Sequence, residues 1–352
     1  MRLEDLDTPV PVIDLDRVEH NIRKLQTYCD EHGLRLRPHI KTHKLPALAY
    51  KQLAQGAVGI TCQKVSEAEV MAAAGIEDIL LSYNVIGKQK VEPLARLACQ
   101  SRLSVALDNE LALSTVAEAS DLAQKSIAVL IEFESGNNRT GVQTPQEALE
   151  LARKVGEHNY LAFEGLMTYP LGTLAAGFLA EAKPLFEHSG ITIRTVSAGG
   201  TPNVWSAHEV EDVTELRVGT YIYHDRSIVG SGTAHFDECA LHVHATVVSR
   251  PTDERAVIDA GSKTLSSDLV SPEYGQGYGH ILEYPEAVIT KLNEEHGIID
   301  LSNCGAKPLL GERLRIVPNH VCVVTNLHDE VVVQRQGQVT GIWPVWARGK
   351  TR

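Results

Sequence analysis

The sequence lacks long hydrophobic segments, runs of like charge and closely spaced cysteine pairs. No window approaches the 18 apolar residues of a membrane-spanning helix, and the first ten residues, MRLEDLDTPV, do not resemble a secretion signal. The net charge of −12 is spread along the chain, which argues against a nucleic-acid or anionic-membrane partner. Six cysteines without paired spacing favour reduced thiols. We therefore expect a cytoplasmic protein that binds neither nucleic acids nor membranes.

No Gly-x-Gly-x-x-Gly motif follows an early strand, so the usual mark of a dinucleotide-binding sheet is missing. Short β-rich runs alternate instead with helical segments. The eight predicted strands are 34–41, 57–63, 78–84, 102–108, 127–134, 162–169, 192–200 and 215–222. This alternation favours a (β/α)8 barrel, with a doubly wound sheet as the alternative.

Near residue 235 the pattern changes to short strands separated by turns, which predicts an all-β C-terminal domain. We place the barrel at residues 17–232. The β domain then comprises residues 233–352 together with the N-terminal strand region, residues 1–16.

Unusual polar residues follow the predicted barrel strands, where barrels carry their active sites. The stretch RPHIKTHK has His39, Lys41 and His43 at alternating positions, so they share one face if the strand continues. A lysine in a confined site loses its charge easily and can then form a Schiff base. The ordinary alternative is a solvated loop lysine.

A second group of residues could hold a phosphate at the ends of the seventh and eighth strands, through backbone amides and hydroxyls. Its members are Gly199, Gly200, Thr201, Gly219 and Thr220. Arg139, in GNNRTGV after the fifth strand, is a permanent cation that could hold a phenolate or a carboxylate. The alternative interpretations are that the glycines only form tight turns and that Arg139 is an ordinary surface arginine.

Two histidine motifs near the C-terminus have equal spacing. In NHVC, His320 and Cys322 are two residues apart, so on a strand both would point to one side and form half of an open zinc site. His242 and His244, in LHVH, have the same spacing. The residues alone leave the choice between the two pairs open.

Several motifs, in order along nearly the whole chain, resemble those of the fold-type III, alanine racemase-like pyridoxal-phosphate enzymes. Within that class the chain resembles the D-threonine aldolase and D-serine dehydratase branch. The motifs are DTPVPVIDLDRVEHNI, RPHIKTHK, GITCQKVSEAE, GNNRTGV, SAGGTP, DAGSK, EEHG and VPNHVCVVTNLHD.

The resemblance implies an alanine racemase-type barrel with pyridoxal phosphate bound as a Schiff base to Lys41. The phosphate would be held by Gly199, Gly200, Thr201, Gly219 and Thr220. Arg139 would lie near the phenolic oxygen, Arg217 would face the pyridine nitrogen and Tyr169 would line the pocket.

The resemblance also selects His320 and Cys322 as the metal pair, whereas LHVH matches no family ligand. Thiolate favours zinc, and manganese or magnesium stays open. The family pattern further implies a homodimer and a small amino-acid substrate.

The implied activity is cleavage of a D-3-hydroxy amino acid, with Lys41, His43 and Tyr169 as catalytic residues. Overall likeness favours retro-aldol cleavage to glycine and an aldehyde, while Cys322 resembles the dehydratase pattern, in which water and ammonia are lost. The histidine that some aldolases carry after the sixth strand is absent, so His43, His280 or a metal-bound hydroxide could be the base. An amino-acid racemase is less favoured because it needs no H-x-C motif. A non-catalytic carrier of the cofactor would lack the β domain.

Overall fold

The computed structural model of the chain describes residues 2–352. The chain divides into two compact units. The barrel unit comprises residues 25–41, 46–219 and 350–352, and the β unit comprises residues 1–24, 42–45 and 220–349. The domain boundaries placed at residues 17 and 233 remain predictions.

The barrel unit contains one sheet of eight parallel strands in the order β2-β9-β8-β7-β6-β5-β4-β3. The strands are β2 (Arg35–Leu36), β3 (Ile60–Cys62), β4 (Asp78–Leu81), β5 (Arg102–Leu107), β6 (Ile127–Phe133), β7 (Leu161–Thr168), β8 (Thr195–Gly199) and β9 (Glu215–Arg217). The end strands meet because Val58 N–H donates to Leu36 O at 2.9 Å and Thr61 N–H donates to Pro38 O at 2.7 Å. The predicted barrel is therefore confirmed.

Helices separate these strands, as a parallel sheet requires. They are α2 (Pro46–Gln55), α3 (Val65–Ala73), α4 (Val91–Gln100), α5 (Glu110–Ala123), α6 (Pro145–Val155) and α7 (Thr173–His188). Helix α1 (Leu15–Glu31) runs from residues of the β unit into residues of the barrel unit. The strands read as nearly continuous apolar runs because both sheet faces are buried. One core cluster joins four of them through Leu80, Ala106, Leu130 and Met167.

The β unit contains a nine-stranded, mostly antiparallel sheet, which confirms the predicted all-β architecture. Its strands are β1 (Val10–Asp14), β10 (Leu241–Thr252), β11 (Arg255–Ile258), β12 (His280–Ile281), β13 (Val288–Leu292), β14 (Gly297–Asp300), β15 (Arg313–Val317), β16 (Glu330–Arg335) and β17 (Gln338–Pro344). Strand β1 pairs antiparallel with β10 and parallel with β16. The N-terminal strand is thus part of this sheet.

Three short helices complete the β unit, namely α8 (Arg226–Gly230), α9 (Ser262–Leu265) and α10 (Val321–Leu327). The predicted strand through His320 and Cys322 is wrong. Strand β15 ends at Val317, and Pro318 has no N–H to continue the ladder. Helix α10 begins instead, and the Asp225 carboxylate accepts a hydrogen bond from Val321 N–H at 3.1 Å.

Within residues 2–352, no helix combines the length and apolar character needed to cross a membrane. The six cysteines, all of them in the described chain, form no disulfide.

Candidate active site

The glycine pair after strand β8 forms a narrow backbone cradle. Gly199 ends the strand, and a Cβ atom there would lie 2.8 Å from Arg217 O on the neighbouring strand β9. Gly200 has a φ of +126°, a conformation that favours glycine. Thr201 then begins a 3₁₀ helix, Thr201–Glu209, whose first amides have no acceptor within the helix. This arrangement of amides beside a hydroxyl fits a phosphate group.

Arg217 lies buried at the end of strand β9. Its Nη2 donates to Thr168 O at 2.6 Å, and its Nε donates to Ser197 Oγ at 2.9 Å. Burial lowers the pKa of Arg217 to about 10, so the guanidinium remains protonated at neutral pH. The Arg217 guanidinium can only donate hydrogen bonds, so it would suit the unprotonated ring nitrogen of a bound heterocycle.

A series of hydrogen bonds connects Arg217, through Ser197 and Glu215, to Arg37. Ser197 Oγ donates to Glu215 Oε1 at 2.7 Å, and Glu215 Oε2 accepts from Arg37 Nε at 2.9 Å. Sequence reasoning missed Ser197 and Glu215, although both alternate with cradle or arginine positions on strands β8 and β9. The period of two along those strands was the available signal.

Arg139 and Tyr169 lie together at the carboxyl ends of strands β6 and β7. The Arg139 guanidinium stands 4.9 Å from the centroid of the Tyr169 ring, and its Nη2 lies 3.8 Å from Glu132 Oε1. An ideal Cβ on Gly199 would lie 3.5 Å from the Tyr169 ring. Arg139, Tyr169, Gly199 and Arg217 therefore belong to one cluster.

The loop that carries Arg139 is shaped by Glu134. Its carboxylate accepts hydrogen bonds from four consecutive amides, those of Gly136, Asn137, Asn138 and Arg139. The motif GNNRTGV is thus folded around an acidic residue that the sequence analysis did not single out. The backbone at Arg139 is fixed even though its side chain is half exposed.

Lys41 does not lie on a strand face with His39 and His43, so the predicted alternation is wrong. Pairing with β9 stops after His39 N–H donates to Val218 O at 2.9 Å, and a 3₁₀ turn, Ile40–Thr42, follows. Lys41 N–H donates to His39 Nδ1 at 3.3 Å, while His39 Nε2 lies 3.1 Å from Gln63 Oε1. His39 thus stabilises the turn that carries Lys41.

His43 belongs to the β unit and is fully buried. Its Nδ1 accepts a hydrogen bond from Leu45 N–H at 3.0 Å. A neutral imidazole that accepts at Nδ1 carries its proton on Nε2. In this arrangement His43 presents an N–H donor rather than a lone pair.

Cys322 lies in the first turn of helix α10 and contacts two threonine hydroxyls of the β unit. Thr42 Oγ1 is 3.2 Å from Cys322 Sγ, and Thr220 Oγ1 is 4.0 Å from it. Thr42 follows Lys41 in the chain, and Thr220 follows Gly219. Thr220 was predicted to lie in the eighth strand, but this prediction is wrong. Thr220 begins the 3₁₀ helix Thr220–Ile222.

His320 caps the N-terminus of helix α10 and contacts both Cys322 and Asp268. The Nδ1 atom of His320 lies 2.7 Å from Asp268 Oδ2. The hydrogen bond to Cys322 and the charge of that thiolate, together with Asp268, raise the pKa of His320 to about 9. His320 and Cys322 are therefore brought together by a helical turn, and Asp268 was missed because it lies 52 positions away.

The other histidine candidates are neutral because burial lowers the pKa of each imidazole. His242 and His244 are buried on strand β10, and burial lowers the pKa of His242 to about 3 and that of His244 to about 4. His280 stacks on Phe236 with the ring centroids 3.9 Å apart, and burial lowers its pKa to about 4. All three are neutral at pH 7.

The cluster in the barrel unit fits a phosphorylated pyridine cofactor, since it offers two adjacent glycines before a helix start, a buried cation and an aromatic side chain. His320 and Cys322 supply one nitrogen and one sulfur donor, which suit zinc. Among residues 2–352, histidine, cysteine and acidic side chains do not gather in groups of three or more that could hold a metal by themselves. The pair could therefore serve only an open site, completed by other ligands.

Two family descriptions match the chain. "Alanine racemase, N-terminal domain" matches residues 13–227, and "Putative serine dehydratase domain" matches residues 240–334. The first match alone covers more than half of the chain.

Individual relatives match over almost the full length. A D-threonine aldolase from Arthrobacter sp. is 37% identical, over 99% of this chain and 95% of the relative. A D-threo-3-hydroxyaspartate dehydratase from Delftia sp. is 34% identical, over 90% of this chain and 91% of the relative. The crystal structure of D-threonine aldolase from Filomicrobium marinum superposes with a TM-score of 0.92 at 34% identity, over 100% of this chain and 98% of that one.

Proposed function

Because this chain belongs to the alanine racemase-like family, we propose that it is a pyridoxal-phosphate- and metal-dependent lyase of D-3-hydroxy amino acids. Its main reaction would be retro-aldol cleavage to glycine and an aldehyde. The observation that carries the proposal is the barrel cluster, in which the Gly199–Gly200 cradle adjoins the buried Arg217. The similarity to an aldolase over the full length supports the reaction type.

The cofactor would be held by residues of this chain in three places. Lys41 would bind it covalently, and the phosphate would lie against Gly199, Gly200, Thr201, Gly219 and Thr220. Arg217 would face the ring nitrogen, with Arg139 and Tyr169 at the side of the ring. Bound pyridoxal phosphate supplies an electron sink for the electron pair released when a bond to the substrate α-carbon breaks.

The residues around Arg217 fix the position of its charged guanidinium. Its Nε and Nη2 donate to oxygen atoms of Ser197 and Thr168, and these acceptors hold the guanidinium in place. Because Arg217 stays protonated, it can donate a hydrogen bond to a ring nitrogen but cannot accept one. Arg217 would thus favour the neutral form of a pyridine ring bound beside it.

The metal would be held by His320 and Cys322, and zinc fits this nitrogen and sulfur pair better than manganese or magnesium. Both ligands must lose their protons to bind a metal. A divalent metal acts as a Lewis acid, which would lower the pKa of a substrate β-hydroxyl. The His320–Cys322 contact already brings the two donor side chains together.

Three side chains remain as proton carriers. Lys41 could take up a proton at Nζ when that amine is uncharged. His43, as hydrogen-bonded to Leu45, can donate from Nε2, and it becomes a base only if its tautomer changes. Tyr169 can hold a proton at its phenol oxygen beside the Arg139 charge.

The second candidate is elimination, in which the α-proton and the β-hydroxyl leave and a keto acid and ammonia form. Cys322 favours it, because a thiolate ligand resembles the dehydratase pattern. The 34% identity to a D-threo-3-hydroxyaspartate dehydratase supports the same alternative.

Product analysis tests the proposal. The purified protein is incubated with pyridoxal phosphate and either zinc or manganese, and D-threonine is compared with L-threonine. Glycine plus acetaldehyde from D-threonine alone is the expected result. Ammonia plus 2-oxobutyrate would establish the dehydratase instead, and alanine-type racemisation of a non-hydroxylated amino acid without lyase products would contradict both.

The assembly we propose is a homodimer, as the family pattern implies, and the location we propose is the cytoplasm. Six cysteines without paired spacing in the sequence favour a reducing compartment. Light scattering coupled to size-exclusion chromatography should give twice the mass of the 38.4 kDa chain. A mass of one chain at micromolar concentration would contradict the dimer.

A further inference from the structure

Asp268 stands next to the proposed metal ligand His320, and its carboxylate contacts the imidazole. Its Oδ2 atom lies 2.7 Å from His320 Nδ1, which is an ordinary distance for a charge-assisted hydrogen bond. The neighbouring acid Asp225 is used differently, because its two oxygens accept from the amides of Ile228 and Val321. Asp268 is therefore the carboxylate that contacts the imidazole itself.

The backbone of Asp268 is held on both sides. Its N–H donates to Ser266 Oγ at 3.2 Å, and its carbonyl accepts from Asn319 Nδ2 at 3.0 Å. Asn319 is buried and directly precedes His320 in the chain. Asp268 is thus connected to His320 directly, through its carboxylate, and also to the preceding residue Asn319, through its carbonyl oxygen.

Arg226 extends this connection to the glycine-rich segment, residues 264–285, which also carries Asp268. Its Nη1 donates to Asn319 Oδ1 at 3.3 Å and to Gly279 O at 3.1 Å. Asn319 Nδ2 also donates to Gly277 O at 2.8 Å. Arg226 and Asn319 thus hold the backbone of the segment that carries Asp268.

From this geometry we infer that Asp268 is a positioning residue, which binds His320 Nδ1–H and so turns the Nε2 lone pair toward the metal. The inference rests on the proposed metal-dependent function. Histidines that ligate metals commonly donate their second ring N–H to a carboxylate, which fixes the tautomer and the ring orientation. Loss of such a partner weakens metal binding by about 10- to 100-fold.

The test measures zinc affinity rather than activity. Zinc is titrated into the cofactor-loaded enzyme against a chromophoric chelator, for the natural protein and for Asp268→Asn and Asp268→Ala. We expect the dissociation constant to rise about 10-fold for Asn and up to about 100-fold for Ala. Asp268→Glu, which keeps the carboxylate, should recover part of the affinity, and the cofactor absorbance should not change in any variant.

Glu273→Gln is the matched control, because Glu273 lies in the same segment and contacts Ser271 Oγ at 3.1 Å. It should leave the dissociation constant unchanged. A second comparison uses the His320→Ala background, in which Asp268→Asn should cause no further loss, since the coupling between the two residues is then absent.

Three results would overturn the inference, and they are distinguishable. Zinc affinity within twofold of the natural protein for both Asp268→Asn and Asp268→Ala would show that the contact with His320 is incidental. An equal loss in the His320→Ala background would mean that Asp268 binds the metal independently. Absence of zinc binding by the natural protein would refute the metal part of the proposed function, and this inference with it.

Discussion

The barrel unit and the β unit hold their candidate functional residues by different means. In the barrel unit, Gly199 and Arg217 stand at the ends of adjacent parallel strands, so the sheet itself places them. In the β unit, His320 follows the end of a strand and is held by the Asp268 side chain. Strand ends therefore place the candidate cofactor residues, whereas a helical turn and a side-chain hydrogen bond hold the candidate metal pair. The two regions should respond differently to substitution.

The largest effect is expected at Lys41. Lys41→Ala removes the covalent attachment, so the visible absorbance of the lysine-bound cofactor should disappear. The kcat on D-threonine should fall by at least roughly 1,000-fold, because a proton carrier is lost together with the attachment. Lys125→Ala, at an exposed lysine of the same unit, should change neither quantity. Retention of absorbance and activity by Lys41→Ala would show that another lysine binds the cofactor.

The next effect concerns the buried arginine of the barrel. Arg217→Met leaves its acceptors, Ser197 Oγ and Thr168 O, without their charged donor, so the free energy of unfolding should fall by about 3 kcal/mol. Arg194→Met is the control, because Arg194 is exposed and lies 3.9 Å from Glu164. Its effect should stay below about 0.5 kcal/mol. Equal losses in urea unfolding would contradict the structural role of Arg217.

The cradle should depend on its backbone conformation. Gly200→Ala introduces a Cβ where φ is +126°, which costs about 1–3 kcal/mol. We expect a cofactor dissociation constant about 10-fold higher, measured by fluorescence titration. Gly177→Ala, in helix α7 with nothing within 4 Å of the new Cβ, should instead stabilise the protein by about 0.5–1 kcal/mol. An unchanged cofactor affinity for Gly200→Ala would argue against the cradle.

At neutral pH, the smallest effect is expected for the buried histidines of the β unit. Burial lowers the pKa of His242 to about 3 from its ordinary value of 6.5. Neutral His242 therefore contributes stability that is fully present above pH 6.5 and is lost as the pH falls toward 3. His242→Phe should reduce the pH dependence of the unfolding free energy between pH 6 and 4 by about 1.4 kcal/mol per pH unit.

Two controls accompany this measurement. His296→Phe makes the same replacement at an exposed position of the same unit and serves as the matched control. Zinc content should also be unaffected by His242→Phe, because the proposed metal pair lies elsewhere. Loss of zinc would mean that the LHVH motif, and not NHVC, binds the metal.

The sequence predicts the barrel well because parallel strands are apolar on both faces and alternate with helices. It also predicts the residues at strand ends, since Gly199 and Arg217 need only the sheet to place them. It fails at His39, Lys41 and His43, because the 3₁₀ turn of Ile40–Thr42 interrupts the strand period.

The sequence fails again at NHVC, for a related reason. Pro318 ends strand β15, and the helix that follows keeps His320 near Cys322 by another geometry. The sequence does not reveal Asp268 or Glu215, because each forms its hydrogen bond with a residue far away in the chain. The partner of Asp268 is His320, and the partner of Glu215 is Ser197. A spacing pattern contains no information on such partners.

The barrel residues are proposed to hold the cofactor, and His320 and Cys322 are proposed to hold the metal. Cofactor absorbance and zinc content, measured on the same samples of Lys41→Ala and Cys322→Ala, test both assignments at once. We predict that Lys41→Ala loses the lysine-bound cofactor signal but keeps zinc, and that Cys322→Ala keeps the signal but loses zinc. Full zinc content in Cys322→Ala, with its cofactor signal lost, would contradict this prediction.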